Sequence, residues 1–465
     1  MSDYVPTIGI ETHVQLNTKT KLFSAVGNDA RQAPPNTLIS HIDVGMPGAL
    51  PVLNAKAVQL CARAAFALGT KPQKFSRFER KHYFYPDSPK GYQITQLEES
   101  IIMGGHLDIP VGDGNKRIEI ERANLEEDAG KNIHPDGADY SLVDLNRAGT
   151  PLLEIVSKPQ INSPAEAKAY AREMWLTMKY AGVTDGDLYL GHVRFDVNVS
   201  VSKDPAKLGT RSEIKNLNSF RSVENAVAYE IDRQTELLEK GEKVVQETRG
   251  WDEVKQKSTS QRGKEEAQDY RYMPEPDIPP LELSDQQIEE YQKKTAKLPA
   301  ELREILNKLS ISSKTIEDIL DNSKACQKVM SAIVLNAEPA NIRRVAFDSL
   351  EEPRTLKVDI ADHLKVAEML RGNAISSSAE KDILLAKVKD PAMPIEELAS
   401  AKQQVSDESE IEKIVKQVMD ANPKVVADIK AGQEKAVGFL VGQIMKASQG
   451  KANPQLAQEI IKRLL

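Results

Sequence analysis

The sequence predicts an α+β fold in which a large β-rich domain precedes a helical domain and a small all-helical tail. Residues 1–283 alternate apolar and polar side chains between Gly, Pro and Asn breakers. Residues 284–404 repeat apolar side chains at helical spacing, and residues 405–465 end in a short amphipathic helix. At roughly 150 residues per domain, 465 residues suit about three domains. We therefore place boundaries after 283 and after 404.

Composition excludes several classes of protein. The chain is 40% apolar and 28% charged, with a formal net charge of −7, which is typical of globular proteins. It has no apolar run near the ~20 residues of a membrane helix, and it opens without a targeting leader. We expect a cytoplasmic protein with no membrane partner. With Cys61 and Cys326 as the two cysteines, neither a disulfide framework nor a zinc knuckle is expected.

Two segments of the β-rich domain combine a strand period with a polar face of unusual composition. In residues 7–16, Glu11, His13 and Gln15 alternate with apolar side chains, so a strand would aim a carboxylate and an imidazole at one place. Residues 193–201 alternate in the same way. Their polar face carries Arg194, Asp196, Asn198 and Ser200. Such a face holds more charge than solubility requires.

Further acids lie between these two segments. Glu126, Glu127 and Asp128 are adjacent, and Glu154 interrupts an apolar run. A buried carboxylate needs a cation, an arginine or a proton beside it. Carboxylates with one imidazole and no thiolate suit Mg²⁺ or Mn²⁺ better than structural zinc. The alternative is a set of surface acids in local salt bridges, and the choice among the three adjacent acids stays open.

The chain lacks the common nucleotide-binding motifs. We find no G-x-x-x-x-G-K-[ST] loop, no protein-kinase motif set and no dinucleotide fingerprint, so any ATP site must be of another kind. Cys61 lies in an Ala-rich helical pattern over residues 54–69 and is interpreted as a buried small hydrophobe. A cysteine-dependent glutaminase in this chain is therefore not expected.

Two regions have features that suit RNA. Residues 80–93 interleave basic and aromatic side chains, an arrangement that can stack on unpaired nucleotides, although core packing of Tyr83 and Tyr85 is the alternative. Residues 424–465 hold seven Lys or Arg and three acids, a local balance of 7 − 3 = +4. That balance suits phosphate contact, and a solvated helical face is the alternative.

Capping residues and prolines predict where helices start. Ser284 with Gln287, and Ser377 with Glu380, have the spacing of capping boxes. Asn453 before Pro454 predicts the start of the last helix. Four prolines among residues 274–280 predict a stiff connector between the first two domains.

Several motifs together resemble the B subunit of bacterial aspartyl/glutamyl-tRNA amidotransferases, the GatB family. They are Ile8-Gly-Ile-Glu-Thr-His-Val-Gln-Leu16, Tyr83-Phe-Tyr-Pro-Asp87, Leu125-Glu-Glu-Asp-Ala-Gly-Lys131, Ser141-Leu-Val-Asp-Leu-Asn-Arg147, Glu213-Ile-Lys-Asn-Leu-Asn-Ser-Phe220, Asp269-Tyr-Arg-Tyr-Met-Pro-Glu-Pro-Asp277 and Gly438-Phe-Leu-Val-Gly-Gln-Ile-Met445. The resemblance spans essentially the whole chain. It implies a catalytic, cradle-like first domain and a tRNA-binding tail.

The resemblance also implies an activity. Such a protein would use ATP and Mg²⁺ or Mn²⁺ to phosphorylate the side-chain carboxylate of Asp-tRNA(Asn) or Glu-tRNA(Gln). Ammonia from an amidase partner, the A subunit, would then displace phosphate, with a small C subunit completing the complex. The alternative is a non-catalytic tRNA-binding scaffold. The sequence does not decide between the two tRNA substrates.

Site residues follow by matching motifs. The implied catalytic and metal-binding residues are Glu11, His13, Glu127 and Glu154. Phosphate or substrate binding is assigned to Arg194, Asp196, Asn198 and Lys215, and tRNA binding to Lys81, Tyr83, Tyr85, Lys446 and Lys451. No zinc is expected, because the cysteine pairs of many relatives are absent. Tyr189 and His192 stand where relatives commonly carry acids followed by Gly-Ser, and their role stays open.

Overall fold

The computed structural model describes residues 3–112, 114–135, 137–263, 269–400, 408–430, 433, 436–448, 452 and 454–465. The chain divides into two compact units, Met1–Leu302 and Arg303–Leu465. The first unit is rich in strands and the second is helical, which confirms the predicted α+β class. In the part of the chain described, no helix combines the length and the apolar character needed to cross a bilayer.

The first unit is built mainly from short strands. They are β1 (Val5–Gln15), β2 (Phe75–Ser76), β3 (Glu79–His82), β4 (Tyr92–Thr95), β5 (Ile102–Met103), β6 (His106–Val111), β7 (Gly114–Glu127), β8 (Lys131–Ile133), β9 (Leu142–Asp144), β10 (Pro151–Ser157), β11 (Val193–Ser202), β12 (Ser212–Leu217), β13 (Glu247–Asp252), β14 (Lys257–Gly263), β15 (Met273–Pro274) and β16 (Leu281–Glu282). Its helices are α1 (Ala55–Ala67), α2 (Pro164–Tyr180), α3 (Phe220–Glu239) and α4 (Asp285–Lys293).

The main sheet runs in the order β14-β13-β12-β11-β1-β10-β7-β5, with β6 paired to β7. Its neighbours are antiparallel except β12 and β13, which are parallel. β1 is central because it pairs with β10 on one side and with β11 on the other. Its even-numbered side chains from Ile8 to Val14 are all buried. Phe195 of β11 packs on Phe220 of α3, so α3 covers the apolar face. The opposite face is left to polar side chains.

The proline-rich segment belongs to the first unit rather than standing apart as a connector. Its start forms β15, which pairs with β3, and its end forms β16, which pairs with β2. Glu275 between them is buried and accepts two hydrogen bonds from Arg80, at 2.7 and 2.9 Å. Helix α4 then packs on α1. The compact unit runs to Leu302, and the domain boundary after residue 283 stays a prediction.

The second unit is helical throughout its described residues. Its helices are α5 (Pro299–Asn307, which starts in the first unit), α6 (Ser313–Asp321), α7 (Ser323–Val334), α8 (Pro339–Glu351), α9 (Ile360–Arg371), α10 (Ser377–Lys389), α11 (Ile395–Ser400), α12 (Glu408–Ala421), α13 (Pro423–Lys430), α14 (Ala436–Ala447) and α15 (Pro454–Leu464), with a 3₁₀ turn at Pro353–Lys357. One hydrophobic cluster lies within residues 358–399 and another within residues 411–461. The tail boundary predicted at residue 404 lies outside the described residues.

Of the predicted helix starts, one capping box is confirmed and the other is displaced by one residue. The capping box of Ser284 and Gln287 is confirmed at α4. At α10 the prediction was wrong by one residue, because the cap is Ser376, whose hydroxyl accepts the N–H of Ala379. Ser377 is instead the first helical residue. Asn453 lies outside the described residues, and α15 begins at Pro454 as predicted.

The second unit buries a histidine that should make its stability depend on pH. His363 is fully buried, its Nε2 lies 3.2 Å from Asp348 Oδ2, and its Nδ1 has no hydrogen-bond partner among the residues that the structure describes. Burial and the charge of Lys328 lower the pKa of His363 to about 3. The unfolded chain, with an ordinary histidine, therefore takes up a proton as pH falls below 6.5, and the folded chain does not.

We expect this difference to destabilise the native protein in acid by about 2 kcal/mol between pH 6.5 and 5. The pKa of Glu380 is raised to about 7, first by burial. This carboxyl therefore takes up a proton more readily in the folded chain, which stabilises the folded protein as pH falls. Comparison with His363→Gln separates the two effects, because Glu380 is present in both proteins. Urea denaturation at several pH values should show that the free energy of unfolding of the variant rises relative to that of wild type as pH falls. A difference that does not change with pH would contradict the assignment.

Candidate active site

The polar face of the main sheet brings together acids from separate parts of the sequence. In the pairing of β1 with β10, His13 lies opposite Glu154. In the pairing of β1 with β11, His13 lies opposite Arg194 and Glu11 lies opposite Asp196. Since side chains on directly opposite residues share a face, β1 carries two neighbouring groups of ligands on one surface. The predicted faces of β1 and β11 are confirmed.

The first group, here called the imidazole cluster, is His13, Glu126 and Glu154. Their ligand atoms lie within 4.8 Å of one another. His13 Nε2 lies 3.4 Å from Glu154 Oε2. Hydrogen bonds fix both carboxylates, because Asn124 donates to Glu154 at 3.1 Å and the Thr95 hydroxyl donates to Glu126 at 2.8 Å.

Burial and charge act against each other in the imidazole cluster. Burial alone would lower the pKa of His13, but its hydrogen bond to Glu154 and the surrounding acids raise it to about 9. Burial would raise the pKa of Glu154, yet the same hydrogen bond lowers it to about 2. For Glu126, burial and then the charge of Glu154 raise the pKa to about 7. His13 thus balances the negative charge of Glu154 well and that of Glu126 poorly.

The second group, here called the carboxylate cluster, is Glu11, Asp196 and Glu213, again with ligand atoms within 4.8 Å of one another. Lys215 donates to Asp196 at 3.1 Å and its ammonium lies 3.0 Å from Glu213. Asn198 donates to Glu11 at 3.2 Å. Every member of the cluster therefore has one polar neighbour that holds its orientation.

Charge in the carboxylate cluster is unevenly balanced. Burial, followed by the charges of Glu154 and Glu213, raises the pKa of Glu11. Burial also opposes ionisation of Asp196, but Lys215, His13 and the N–H of Asn216 together outweigh it and lower the pKa of Asp196. The site therefore contains more carboxylate than its own cations neutralise. A bound cation would remove this excess.

Glu127 lies apart from both groups. It forms a buried ion pair with Lys90, and the backbone N–H of Ile94 donates to its carboxylate at 3.0 Å. Glu126 and Glu127 are successive strand residues and so point to opposite sides of β7. Among the described residues, Glu126 is the member of the adjacent acids that reaches His13. The metal role that the resemblance gives to Glu127 stays a prediction.

Asp128 organises the rim of the polar face. Arg194 donates to both of its carboxylate oxygens at 3.2 Å, and Arg147 Nε lies 3.5 Å away. Burial opposes ionisation of Asp128, but the two guanidinium groups, with Arg194 first, lower its pKa. Arg147 also donates to the carbonyls of Ala129 and Gly130. Arg194 is thereby held beside His13 on the strand next to it.

The segment predicted to bind RNA borders the site. Burial lowers the pKa of Lys81 on β3, but the charge of Glu126, followed by those of Tyr272 and Glu154, raises it overall. The charges of the imidazole cluster therefore act on the ammonium of Lys81, which lies 4.9 Å from the centroid of the Tyr270 ring. Tyr83 and Tyr85 stack on each other with ring centroids 5.7 Å apart. The assignment of Lys81 and the tyrosines to tRNA stays a prediction.

Two of the other predicted residues, Asn198 and Lys215, lie in or beside the carboxylate cluster. Lys446 is exposed on α14, and Lys451 lies outside the described residues. Sequence reasoning missed Glu213 and Asn124. Glu213 could have been found, because it stands two residues before Lys215 and a strand places both on one face.

Comparison with known proteins agrees with this architecture. The GatB/GatE catalytic domain matches residues 6–289, and the GatB domain matches residues 316–465. The B subunit of the aspartyl/glutamyl-tRNA(Asn/Gln) amidotransferase of Thermotoga petrophila is 42% identical over 488 residues, covering 99% of each chain. The protein of the same name from Nitratidesulfovibrio vulgaris is 42% identical over 474 residues, again covering 99% of each. That from Persephonella marina is 41% identical over 477 residues and covers all of both chains. The chain therefore belongs to the GatB family of aspartyl/glutamyl-tRNA amidotransferase B subunits.

Proposed function

We propose that this protein activates the side-chain carboxylate of Asp-tRNA(Asn), Glu-tRNA(Gln) or both with ATP, and then converts it to the amide with ammonia. The observation that carries the proposal is the pair of ligand clusters that share β1, one containing Glu11 and the other His13. A carboxylate is a poor electrophile at neutral pH, whereas an acyl phosphate has a good leaving group. Family membership adds the substrates, because the relatives are named for both tRNAs.

The reaction balances in two steps. A carboxylate oxygen of the aminoacyl group attacks the γ-phosphorus of ATP, the bond to the ADP oxygen breaks, and an acyl phosphate forms. Ammonia then attacks the acyl carbon, phosphate leaves, and ammonia loses a proton as the amide forms. The ammonia would come from glutamine hydrolysed by the amidase A subunit, held with this chain and a small C subunit in a cytoplasmic complex.

The donor atoms of the two clusters fit Mg²⁺ or Mn²⁺. The carboxylate cluster offers oxygen ligands, and the imidazole cluster adds one nitrogen. The raised pKa values of Glu11 and Glu126 support this fit, because a carboxyl that resists ionisation gains from a nearby cation. When bound, a divalent cation would neutralise phosphate oxygens and hold them in place.

The chain's own cations would position the phosphate groups. Arg194, fixed by Asp128, and Lys215, fixed by Asp196 and Glu213, lie on strands on the same side of β1. Lys81, on β3, is close enough for the charges of Glu126 and Glu154 to raise its pKa. Since phosphoryl transfer depends mainly on position and charge, cations held in this way supply what the step requires.

An assay of the purified complex without any amide donor tests this proposal against a non-catalytic scaffold. The complex is incubated with γ-labelled ATP, Mg²⁺ and misacylated tRNA, and hydroxylamine is added to trap an acyl phosphate as the side-chain hydroxamate. This is the only hydroxamate scored, and it is separated from the α-hydroxamate that hydroxylamine forms with the aminoacyl ester. We expect label release and hydroxamate that both depend on the misacylated tRNA. Uncharged tRNA is the matched control. Equal ATP consumption with the two tRNAs, and no hydroxamate, would favour the scaffold.

A further inference from the structure

A turn beside the active-site face presents an aromatic side chain to solvent. Tyr189 is fully exposed, and its neighbour Leu190 is 46% exposed. Neither residue belongs to the clusters or to their supporting hydrogen bonds. A single exposed tyrosine is normal on a protein surface, so a role for this ring depends on the backbone that holds it and on its distance to the site.

The turn that carries Tyr189 is held firmly. The indole N–H of Trp175 donates to the carbonyl of Gly186 at 2.7 Å, and Gly186 has a φ of 69°. The carboxylate of Asp187 accepts the N–H of Leu190 at 3.1 Å, and its carbonyl accepts the N–H of His192 at 2.9 Å. The ring is therefore displayed from a fixed backbone, which lowers the entropy lost when it binds a partner.

The turn also lies close to the site. The N–H of Gln15, at the end of β1, donates to the carbonyl of His192 at 2.8 Å. Arg194 follows five residues after Tyr189, a distance of at most about 18 Å along an extended chain. A molecule bound to Arg194 and the two clusters would thus have its next few chemical groups within reach of Tyr189.

The surroundings of Tyr189 favour a nucleobase over a protein partner. The apolar area is confined to two adjacent side chains, whereas a stable protein interface buries about 800 Å² on each partner. The carboxylates of Asp185 and Asp187, on the same turn, disfavour direct phosphate contact. Stacking requires an exposed ring rather than a cation, and the turn offers that ring.

We propose that Tyr189 stacks on an unpaired base at the acceptor end of the substrate tRNA and positions that end for reaction. This assignment rests on the proposed function, because it takes an aminoacyl-tRNA as the substrate. Tyr189 would act as a positioning and affinity residue, since it touches none of the reacting groups. The hydroxyl would be dispensable and the ring essential.

The test compares Tyr189→Ala and Tyr189→Phe in the complete complex, with Tyr140→Ala, another exposed tyrosine of the first unit, as the matched control. We expect Tyr189→Ala to raise KM for misacylated tRNA about tenfold with little change in kcat, as loss of one stacked base predicts. Tyr189→Phe and Tyr140→Ala should behave like wild type. In addition, tRNA carrying 2-aminopurine at each unpaired acceptor position in turn should show quenching at one position with wild type, and none there with Tyr189→Ala.

An unchanged KM for Tyr189→Ala, or an equal loss for Tyr189→Phe, would overturn the stacking assignment. Failure of the Tyr189→Ala complex to assemble on gel filtration would overturn it as well and assign the turn to a protein partner. If the wild-type complex makes no amidated tRNA, the proposed function itself fails. The 2-aminopurine signal needs no turnover and would still report on Tyr189.

Discussion

Replacing Glu11 with Gln, or His13 with Ala, is expected to lower ATP-dependent amidation of misacylated tRNA by at least about 10³-fold. Each substitution removes a ligand from a different cluster, since Glu11 faces Asp196 and His13 faces Glu154. The loss should appear in kcat, because the removed groups act on the phosphoryl group in transfer. Amidation is measured by separating the aminoacyl products released from the tRNA.

Assembly and folding should survive both changes. Glu11 and His13 lie on the polar face of β1, while the apolar side chains of that strand form the core. Glu119→Gln serves as the matched control, because this acid is on β7 and pairs with Lys158 at the surface. Both variant complexes should co-elute with wild type on gel filtration. Amidation at the native rate by either site variant, in an intact complex, would show that the clusters do not serve the reaction.

Some of this site could be predicted from the sequence alone, because alternate residues of a strand face opposite sides of the sheet and this alternation is visible within a few residues. The alternation around Glu11 and His13 defines the polar face of β1, and the same pattern around Asp196 defines that of β11. Family resemblance supplies the motif residues but not their neighbours. The grouping of His13 with Glu154 depends on the register between β1 and β10, which no local pattern reports.

The proline-rich segment differs from the predicted free connector for a different physical reason. Prolines do restrict the backbone of residues 274–280, but an extended proline segment can also pair at a sheet edge. The burial of Glu275 against Arg80 is a long-range ion pair, and composition gives no sign of it. The capping box at Ser284 was correct because it involves only residues three apart. The cap of α10 depends on equally short range and was displaced by one residue, so local patterns locate helix starts closely but do not report a long-range pairing such as that of Glu275 with Arg80.

The adjacent acids Glu126 and Glu127 should give opposite results when each is changed to Gln. Glu126 shares the imidazole cluster, and burial together with the charge of Glu154 raises its pKa to about 7. Removing its charge takes away a metal ligand but relieves repulsion from Glu154. We expect Glu126→Gln to weaken Mn²⁺ binding more than about tenfold and to leave stability unchanged or slightly higher.

Glu127→Gln should instead lower stability by about 3 kcal/mol, because it leaves the ammonium of Lys90 buried without its counter-charge. Mn²⁺ affinity should remain within about twofold of wild type, since the side chain points away from His13. Mn²⁺ titration followed by electron paramagnetic resonance, together with urea denaturation of the same proteins, measures both effects. The two substitutions have identical chemistry at adjacent positions, so a difference between them reports on the side of β7 that each residue faces and on the groups it contacts there. Loss of Mn²⁺ binding in Glu127→Gln, with Glu126→Gln unaffected, would return the metal role to Glu127 and require β7 to present its other side to the cluster.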